Sequence, residues 1–206
     1  MSRLLIVGLA MAVTATACAT QAPGQPMPAP GDTSTPPPTS PSHISSKAPP
    51  IHSAELDLAS YESRVCDLLT LEQLAPFAIY EPGKLQDSRT GPTCKWNPSD
   101  PSAGARIDLL IVSKSQGGWE GAYDRRRGLA FFEEAGEING YPAVHWDRDG
   151  NHTAEGICQT TVGVRHDLVF DVAAFVNGLR SPEYKDACSV SDKAASLVID
   201  TLRGGR

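Results

Sequence analysis

The sequence lacks an apolar run long enough to cross a membrane as a helix. Its first apolar segment, residues 4–13, has about ten residues, whereas a spanning helix needs roughly 20. The positively charged start Met1-Ser2-Arg3 precedes this segment. A short apolar run behind a positive start is typical of a signal peptide. We therefore expect residues 1–17 to be a signal peptide and not a membrane helix.

The sequence also lacks an excess of basic residues, since its formal net charge is −6. Residues 1–55 carry two basic side chains, Arg3 and Lys47, and two acidic ones, Asp32 and Glu55. The whole net charge therefore lies in residues 56–206. An acidic domain is a poor candidate for binding nucleic acid or an anionic lipid surface. We expect no nucleic-acid partner.

Common catalytic signatures are missing as well. The sequence contains no G-x-S-x-G, S-x-x-K, H-E-x-x-H or G-x-x-x-x-G-K pattern. In many enzymes these patterns hold a nucleophile, a catalytic zinc ion or a nucleotide phosphate. We expect a protein that is not an enzyme, with no catalytic residue and no cofactor.

A cysteine does follow the apolar run at once. The small residues Ala15, Thr16 and Ala17 lead into Cys18, as a lipoprotein signal peptidase requires. Two or more acyl chains on Cys18 would hold the protein stably, because each buried methylene contributes about 0.8 kcal/mol. We expect a palmitate-type anchor on the extracytoplasmic face of the cell membrane. The alternative is ordinary secretory cleavage after Ala17, since Ala15 stands where lipoproteins usually have leucine.

Residues 18–55 have the composition of a linker. Ten of the 17 prolines lie here, mixed with Ser, Thr, Gly and Ala. Such a segment cannot bury a core, and where it is polyproline-like it rises about 3.1 Å per residue. We expect a disordered, semi-rigid spacer of up to about 100 Å. A proline-rich recognition motif, or O-mannosylation at residues 33–40, is the alternative.

The four remaining cysteines are Cys66, Cys94, Cys158 and Cys188. An even count in an exported domain indicates two disulfides, although three connectivities are possible. We favour the local pairs, Cys66 with Cys94 and Cys158 with Cys188. No pair has the C-x₂₋₄-C spacing of common zinc modules, so we expect no metal site.

Residues 56–206 are expected to form one globular α+β domain, an antiparallel sheet with helices packed against it. Apolar periodicity predicts helices at residues 70–77, beginning at Thr70, at 118–135 and at 188–203. Alternation predicts that Ile107, Leu109 and Ile111 share one face of a strand and that Arg106 and Asp108 share the other. Strands are predicted within residues 93–98, 105–113, 140–149, 156–164 and 167–175.

Three features could bind a ligand. The segment HWDRDGNHTAE resembles part of a calcium loop, but the twelfth residue from Asp147 is Cys158 and not the required Glu, so a hairpin turn is favoured. Three consecutive arginines could bind an anion, although a solvated helix end is favoured. Three tryptophans could line a groove or fill the core. The residues of these features are His145, Asp147, Asp149, Asn151, His152, Glu155; Arg125, Arg126, Arg127; and Trp96, Trp119, Trp146.

The motifs CDLLTLEQL, CKW, GYPAV, CQTTVGV and DACSVSDKAASLVIDTL occur in this order behind Cys18 and the proline-rich linker. Over about residues 60–204 the chain resembles actinobacterial lipoproteins that carry domain of unknown function 3558. The resemblance implies a cell-envelope lipoprotein with a small α+β domain. It implies no activity and no catalytic residue.

The function expected from these observations is a tethered, non-enzymatic binding or accessory module. Its partner would be an envelope protein, lipid or glycan that the sequence does not identify. A structural or stress-associated surface lipoprotein without a dedicated ligand is the alternative, and a hydrolase is a distant third. A concave apolar pocket would favour the first of these classes, a featureless surface the second, and a Ser or Asp beside a perturbed His the third.

Overall fold

The structure, a computed structural model, describes residues 47–150, 155–178 and 182–204. The predicted signal peptide, Cys18 and linker residues 19–46 lie outside the described residues, as do Asn151 and His152. Within the described ranges, no helix is both long and apolar enough to span a membrane.

The domain is built on one seven-stranded antiparallel sheet with helices packed against it, which confirms the predicted fold class. The order of strands across the sheet is β1-β2-β3-β7-β6-β5-β4. The strands are β1 Lys84–Ser88, β2 Gly91–Trp96, β3 Ala105–Val112, β4 Phe131–Ile138, β5 Tyr141–Asp147, β6 Ile157–Val162 and β7 Val169–Val176; the helices are α1 Leu71–Leu74, α2 Gly118–Asp124 and α3 Ala187–Leu202.

The main core lies between the sheet and α3. Alternation along β3 buries Ile107, Leu109 and Ile111 on this side, as predicted. From α3, Val190 and Ala194 fall one turn apart and pack against the same cluster. The predicted last helix is therefore confirmed, and it covers one face of the sheet.

Both predicted disulfides are present. Cys66, in a 3₁₀ turn at Val65–Leu68, is joined to Cys94 of β2. Cys158 of β6 is joined to Cys188 in the first turn of α3. The second disulfide therefore ties α3 to the centre of the sheet.

The helix predicted at residues 70–77 is only partly α-helical. Thr70 and Gln73 form a reciprocal capping box, in which each side chain bonds the other's backbone N–H. α1 ends after one turn, and a 3₁₀ turn with Pro76 follows at Ala75–Phe77. Proline cannot donate a backbone hydrogen bond, which explains the early end of the helix.

The prediction of a helix at residues 118–135 was wrong for the second half of this range. α2 ends at Asp124, a 3₁₀ turn covers Arg125–Gly128, and β4 begins at Phe131. β4 pairs with β5 and has a register shift between Glu134 and Gly136. β4 and β5 form a hairpin around Asn139 and Gly140, which both have positive φ, and this strand pairing overrides the weak helical pattern.

Residues 47–55 lie against the domain, although the sequence places them in the linker. Trp119 Nε1 donates a 2.9 Å hydrogen bond to the carbonyl of Pro49. The Tyr141 hydroxyl donates a 2.6 Å hydrogen bond to the carbonyl of Ala54. Ala48 is buried in a second core cluster, which includes Trp119. Contacts with the domain therefore extend at least as far back as Ala48, which precedes the predicted boundary at residue 56.

Candidate functional site: a cavity on the sheet face opposite the last helix

The sheet face opposite α3 is only partly covered. At one end α2 packs Trp119 and Tyr123 against Val112 and Val169 of the sheet. Beyond α2 the face stays open and forms a cavity of about 420 Å³. Ligand pockets in proteins measure roughly 300–1,000 Å³. The cavity therefore has the size of a small-molecule site.

Strand register explains which side chains form the floor. Side chains directly opposite one another on neighbouring strands share a face, so each pairing extends a row across the sheet. The first row is Thr93, Leu110, Asp171, Thr161 and Val144; the second is Lys95, Asp108, Ala173, Gln159 and Trp146. All ten side chains line the cavity.

Asp171 is a buried carboxylate in the centre of the first row. It is 8% exposed, and the Thr161 hydroxyl donates a 2.5 Å hydrogen bond to its Oδ1. Burial raises the pKa of Asp171 from its ordinary 3.8 to about 6, although the Thr161 hydrogen bond and the positive charge of Arg125 act in the opposite direction. Near neutral pH Asp171 is therefore mostly ionised, and burying its charge in the floor of the cavity costs folding free energy.

Trp146 is tied into the same hydrogen-bond chain. Its indole Nε1 donates a 2.8 Å hydrogen bond to Thr161 Oγ1. Since the indole can only donate, Thr161 must accept here and give its own hydrogen to Asp171. The chain fixes the Trp146 ring in the cavity wall.

Asp108 is the second carboxylate on this face. Burial raises its pKa, and Arg106 and Lys95 partly oppose this effect. Arg106 Nε lies 3.2 Å from Asp108 Oδ1 without hydrogen-bond geometry, and Lys95 Nζ lies 3.7 Å from Oδ2. The Arg106 guanidinium also stacks over the Phe175 ring, 3.6 Å from its centroid.

Only some of the residues that the sequence suggested as ligand-binding candidates line this cavity. Trp146 lines it, whereas Trp96 and Trp119 are buried in the core. Of the three consecutive arginines, Arg125 lines the cavity and donates a 3.1 Å hydrogen bond to the Gln116 carbonyl. Arg126 and Arg127 are not among the lining residues, so the arginine run is not a single patch.

A second polar cluster lies on the opposite face, beside α3. His145 Nε2 lies 2.8 Å from Asp192 Oδ1, and the Thr160 hydroxyl donates a 2.9 Å hydrogen bond to the same oxygen. Ser191 Oγ is 2.7 Å from Thr160 Oγ1, and both residues are fully buried. The carboxylate thus stands between the hydroxyls and the imidazole. In a serine-protease-type triad the imidazole stands between them, so this cluster lacks the order that activates a nucleophile.

Possible metal ligands are found near the second disulfide. Ligand atoms of His145, Cys158 and Cys188 lie within 4.8 Å of one another. The two sulfurs are bonded to each other and are not available as thiolates. Among the described residues of the calcium-like segment, His145 turns toward α3, whereas the Asp149 N–H donates a 3.0 Å hydrogen bond to the Asp147 carboxylate in the turn.

Two other hollows have volumes comparable to the cavity, about 350 and 470 Å³. The first lies between Phe77 and Lys193, and the second lies beside the turn between β1 and β2. No side chain that lines either hollow is a buried charged group. The cavity on the face opposite α3 is therefore the better candidate site.

Sequence reasoning did not identify Asp171, Thr161 or Gln159. The available signal was a polar residue inside an otherwise apolar strand, as in DLVFDVAAF and GICQTTVGV. Strand alternation alone does not show that these positions face one cavity, because that depends on β7 lying between β3 and β6.

Comparison with known proteins places the chain in a family without giving it an activity. Residues 13–201 match the family described as "Protein of unknown function (DUF3558)". No curated protein and no solved structure matches the chain. Because the match covers most of the 206 residues, the chain belongs to the DUF3558 family.

Proposed function

We propose that this protein is a non-enzymatic binding module that holds a small ligand in the cavity on the sheet face opposite α3. The observation that carries this proposal is the buried polar floor. A carboxylate, a threonine and a glutamine occupy central strand positions that face an open cavity of about 420 Å³. A solvated face of an antiparallel sheet is ordinarily polar, but here Asp171 and Thr161 are buried, and burying a carboxylate costs folding free energy that a ligand-binding role explains.

The same proposal places the module at the cell envelope. The signal-peptide pattern, the small residues before Cys18 and the proline-rich linker support a lipid anchor on the extracytoplasmic face. Two disulfides support an oxidising compartment. The resemblance to actinobacterial lipoproteins supports an actinobacterial envelope.

The alternative is a structural lipoprotein without a dedicated ligand. The size and polarity of the cavity favour the binding module over it. A hydrolase is favoured less, because in the His145 cluster the Asp192 carboxylate separates the imidazole from the hydroxyls of Thr160 and Ser191.

Native mass spectrometry tests ligand binding directly. Residues 19–206, made without lipid and incubated with a small-molecule extract of the cell envelope, should gain one or more discrete masses. Ala173→Trp places a large ring in the middle of the cavity floor and should abolish the gain. Glu72→Trp adds the same ring at an exposed position of α1 and should leave the gain unchanged. No gain with the wild-type chain, or an equal gain with Ala173→Trp, would contradict the proposal.

The anchor requires a separate test. Cys18→Ser should abolish incorporation of radiolabelled palmitate and release the protein from the membrane or leave it unprocessed. If this variant labels and fractionates like the wild type, the lipoprotein assignment is wrong. Cys18→Ser leaves the cavity intact, so this result does not bear on ligand binding.

A further inference from the structure

We propose that the cavity selects small organic anions: molecules with a flat apolar body and a terminal anionic group that Arg125 and Arg148 hold at the rim. This inference rests on the proposed function, because it names the class of ligand that the same cavity takes. It identifies the ligand by charge and shape, from the residues that line the site.

The charge of this face differs in sign from that of the whole protein. Lys95, Arg125 and Arg148 line the cavity, and Arg106 flanks it through its ion pair with Asp108. Only Asp108 and Asp171 oppose these cations among the lining residues. A local excess of positive charge in a protein of net charge −6 is a focused field that raises the local concentration of anions.

Two of the four cations already share one carboxylate. Lys95 and Arg106 both pair with Asp108, at 3.7 and 3.2 Å. Arg106 is held further by its stacking on Phe175. Lys95 lines the cavity and Arg106 flanks it, and neither is needed to explain anion binding.

Arg125 and Arg148 remain available to a ligand. Arg125 uses one Nη1 hydrogen bond to the Gln116 carbonyl, which orients the guanidinium and leaves other N–H donors. Arg148 directly follows β5, is exposed, and makes no hydrogen bond or ion pair within the described part of the chain. Guanidinium groups bind carboxylate, sulfonate and phosphate oxygens with charge-assisted hydrogen bonds.

The rest of the cavity suits a flat apolar body. Trp146 is fixed by its hydrogen bond to Thr161, and Phe175 is fixed by Arg106. The apolar side chains of Leu110, Leu129 and Val144 complete the lining. Rigid aromatic walls of this kind bind planar groups at little cost in side-chain entropy.

Two fluorescent probes that differ only in charge provide the test. 8-Anilinonaphthalene-1-sulfonate and N-phenyl-1-naphthylamine have the same aromatic body, but only the first carries a sulfonate. Residues 19–206, which retain every described residue, should bind the sulfonate probe at least tenfold more tightly. Arg125→Gln with Arg148→Gln should weaken sulfonate binding at least tenfold and change binding of the neutral probe by less than about threefold.

Matched variants separate the local effect from net charge. Arg127→Gln with Lys185→Gln removes the same two charges at exposed positions outside the cavity and should leave both affinities nearly unchanged. Asp171→Asn removes a negative charge from the floor and keeps an acceptor for Thr161. It should strengthen sulfonate binding several-fold, whereas a site for cations would lose affinity.

The outcomes distinguish this inference from the proposed function. Equal affinity for the two probes, or sulfonate binding that survives loss of Arg125 and Arg148, would overturn anion selection while cavity binding stands. If neither probe binds, anion selection is overturned, whereas the proposed function itself is overturned only if the envelope extract gives no mass gain or a gain that Ala173→Trp does not reduce. Binding of residues 19–206 to vesicles of anionic phospholipid that requires Arg125 and Arg148 would replace the small anion by a membrane surface.

Discussion

The Thr161 hydroxyl donates a hydrogen bond of 2.5 Å to Asp171 Oδ1 across the β6–β7 pair. Thr161 has a single hydroxyl hydrogen, and the Trp146 indole can only donate. The direction of the whole chain is therefore fixed, from Trp146 through Thr161 to Asp171. The orientation of the Trp146 ring is therefore linked through Thr161 to the protonation state of Asp171.

The raised pKa of Asp171 predicts a specific pH dependence of stability. The folded state binds the proton more tightly than the unfolded state, because the pKa is about 6 when folded and 3.8 ordinarily. The resulting stabilisation is complete below about pH 3.8 and is lost as pH rises through about 6. Relative to wild type, Asp171→Asn should therefore gain about 2–3 kcal/mol of unfolding free energy between pH 4 and pH 7.5.

Urea unfolding of both proteins across this pH range measures the difference. Asp87→Asn makes the same substitution at an exposed position of β1 and serves as the control. A difference between Asp171→Asn and wild type that does not change with pH would show that Asp171 is not a buried acid with a raised pKa.

Much of the fold follows from local sequence signals, and the exceptions have physical reasons. The capping box at Thr70 and the alternation of Ile107, Leu109 and Ile111 act within a few residues, so they are readable in the sequence. β1 was not predicted, because all five of its residues are exposed and no apolar alternation marks it. Helix and strand could not be separated at residues 131–138, where pairing with β5 decides the outcome.

The candidate site was less predictable than the fold. Its floor combines residues from β2, β3, β7, β6 and β5, and only the strand order brings them together. Asp171 and Leu110 are neighbours because β7 inserts between β3 and β6. Trp146 and Arg125 stood out in the sequence by residue type, but the sequence did not show that they share a cavity.

A close approach between Gly163 and Trp119 gives the second prediction. A Cβ at residue 163 would lie 2.6 Å from Trp119 Cδ2. The ring is fully buried and its Nε1 is bonded to Pro49, so it has little freedom to move. Gly163→Ala should lower the free energy of unfolding by about 1–3 kcal/mol. Gly128→Ala, where no atom lies within 4 Å of the added Cβ, should be neutral or slightly stabilising. Equal unfolding midpoints for the two variants would contradict the packing at Trp119.

The disulfide between Cys158 and Cys188 gives the third prediction. It closes a sequence separation of 30 residues, and the separation between Cys66 and Cys94 is 28. Replacing either pair by alanine should therefore cost a similar free energy, about 2–4 kcal/mol. Of the two replacements, only loss of the Cys158–Cys188 bond should speed hydrogen exchange in the first turns of α3, because only this disulfide joins α3 to β6. Unchanged exchange there, measured by mass spectrometry, would show that packing alone fixes α3.

The last prediction concerns where the folded domain begins. Residues 47–55 bury Ala48 and supply the carbonyl acceptors of Trp119 and Tyr141, so a chain that starts at Leu56 loses these contacts. Compared with residues 47–206, residues 56–206 should lose about 2–3 kcal/mol of unfolding free energy, from lost apolar burial and two lost hydrogen bonds. Residues 19–206 should be no more stable than residues 47–206, because the proline-rich segment before Lys47 cannot bury a core. The midpoints of urea unfolding of the three chains test this prediction. If residues 56–206 are as stable as residues 47–206, the first nine residues are part of the spacer and the domain begins where the sequence predicts.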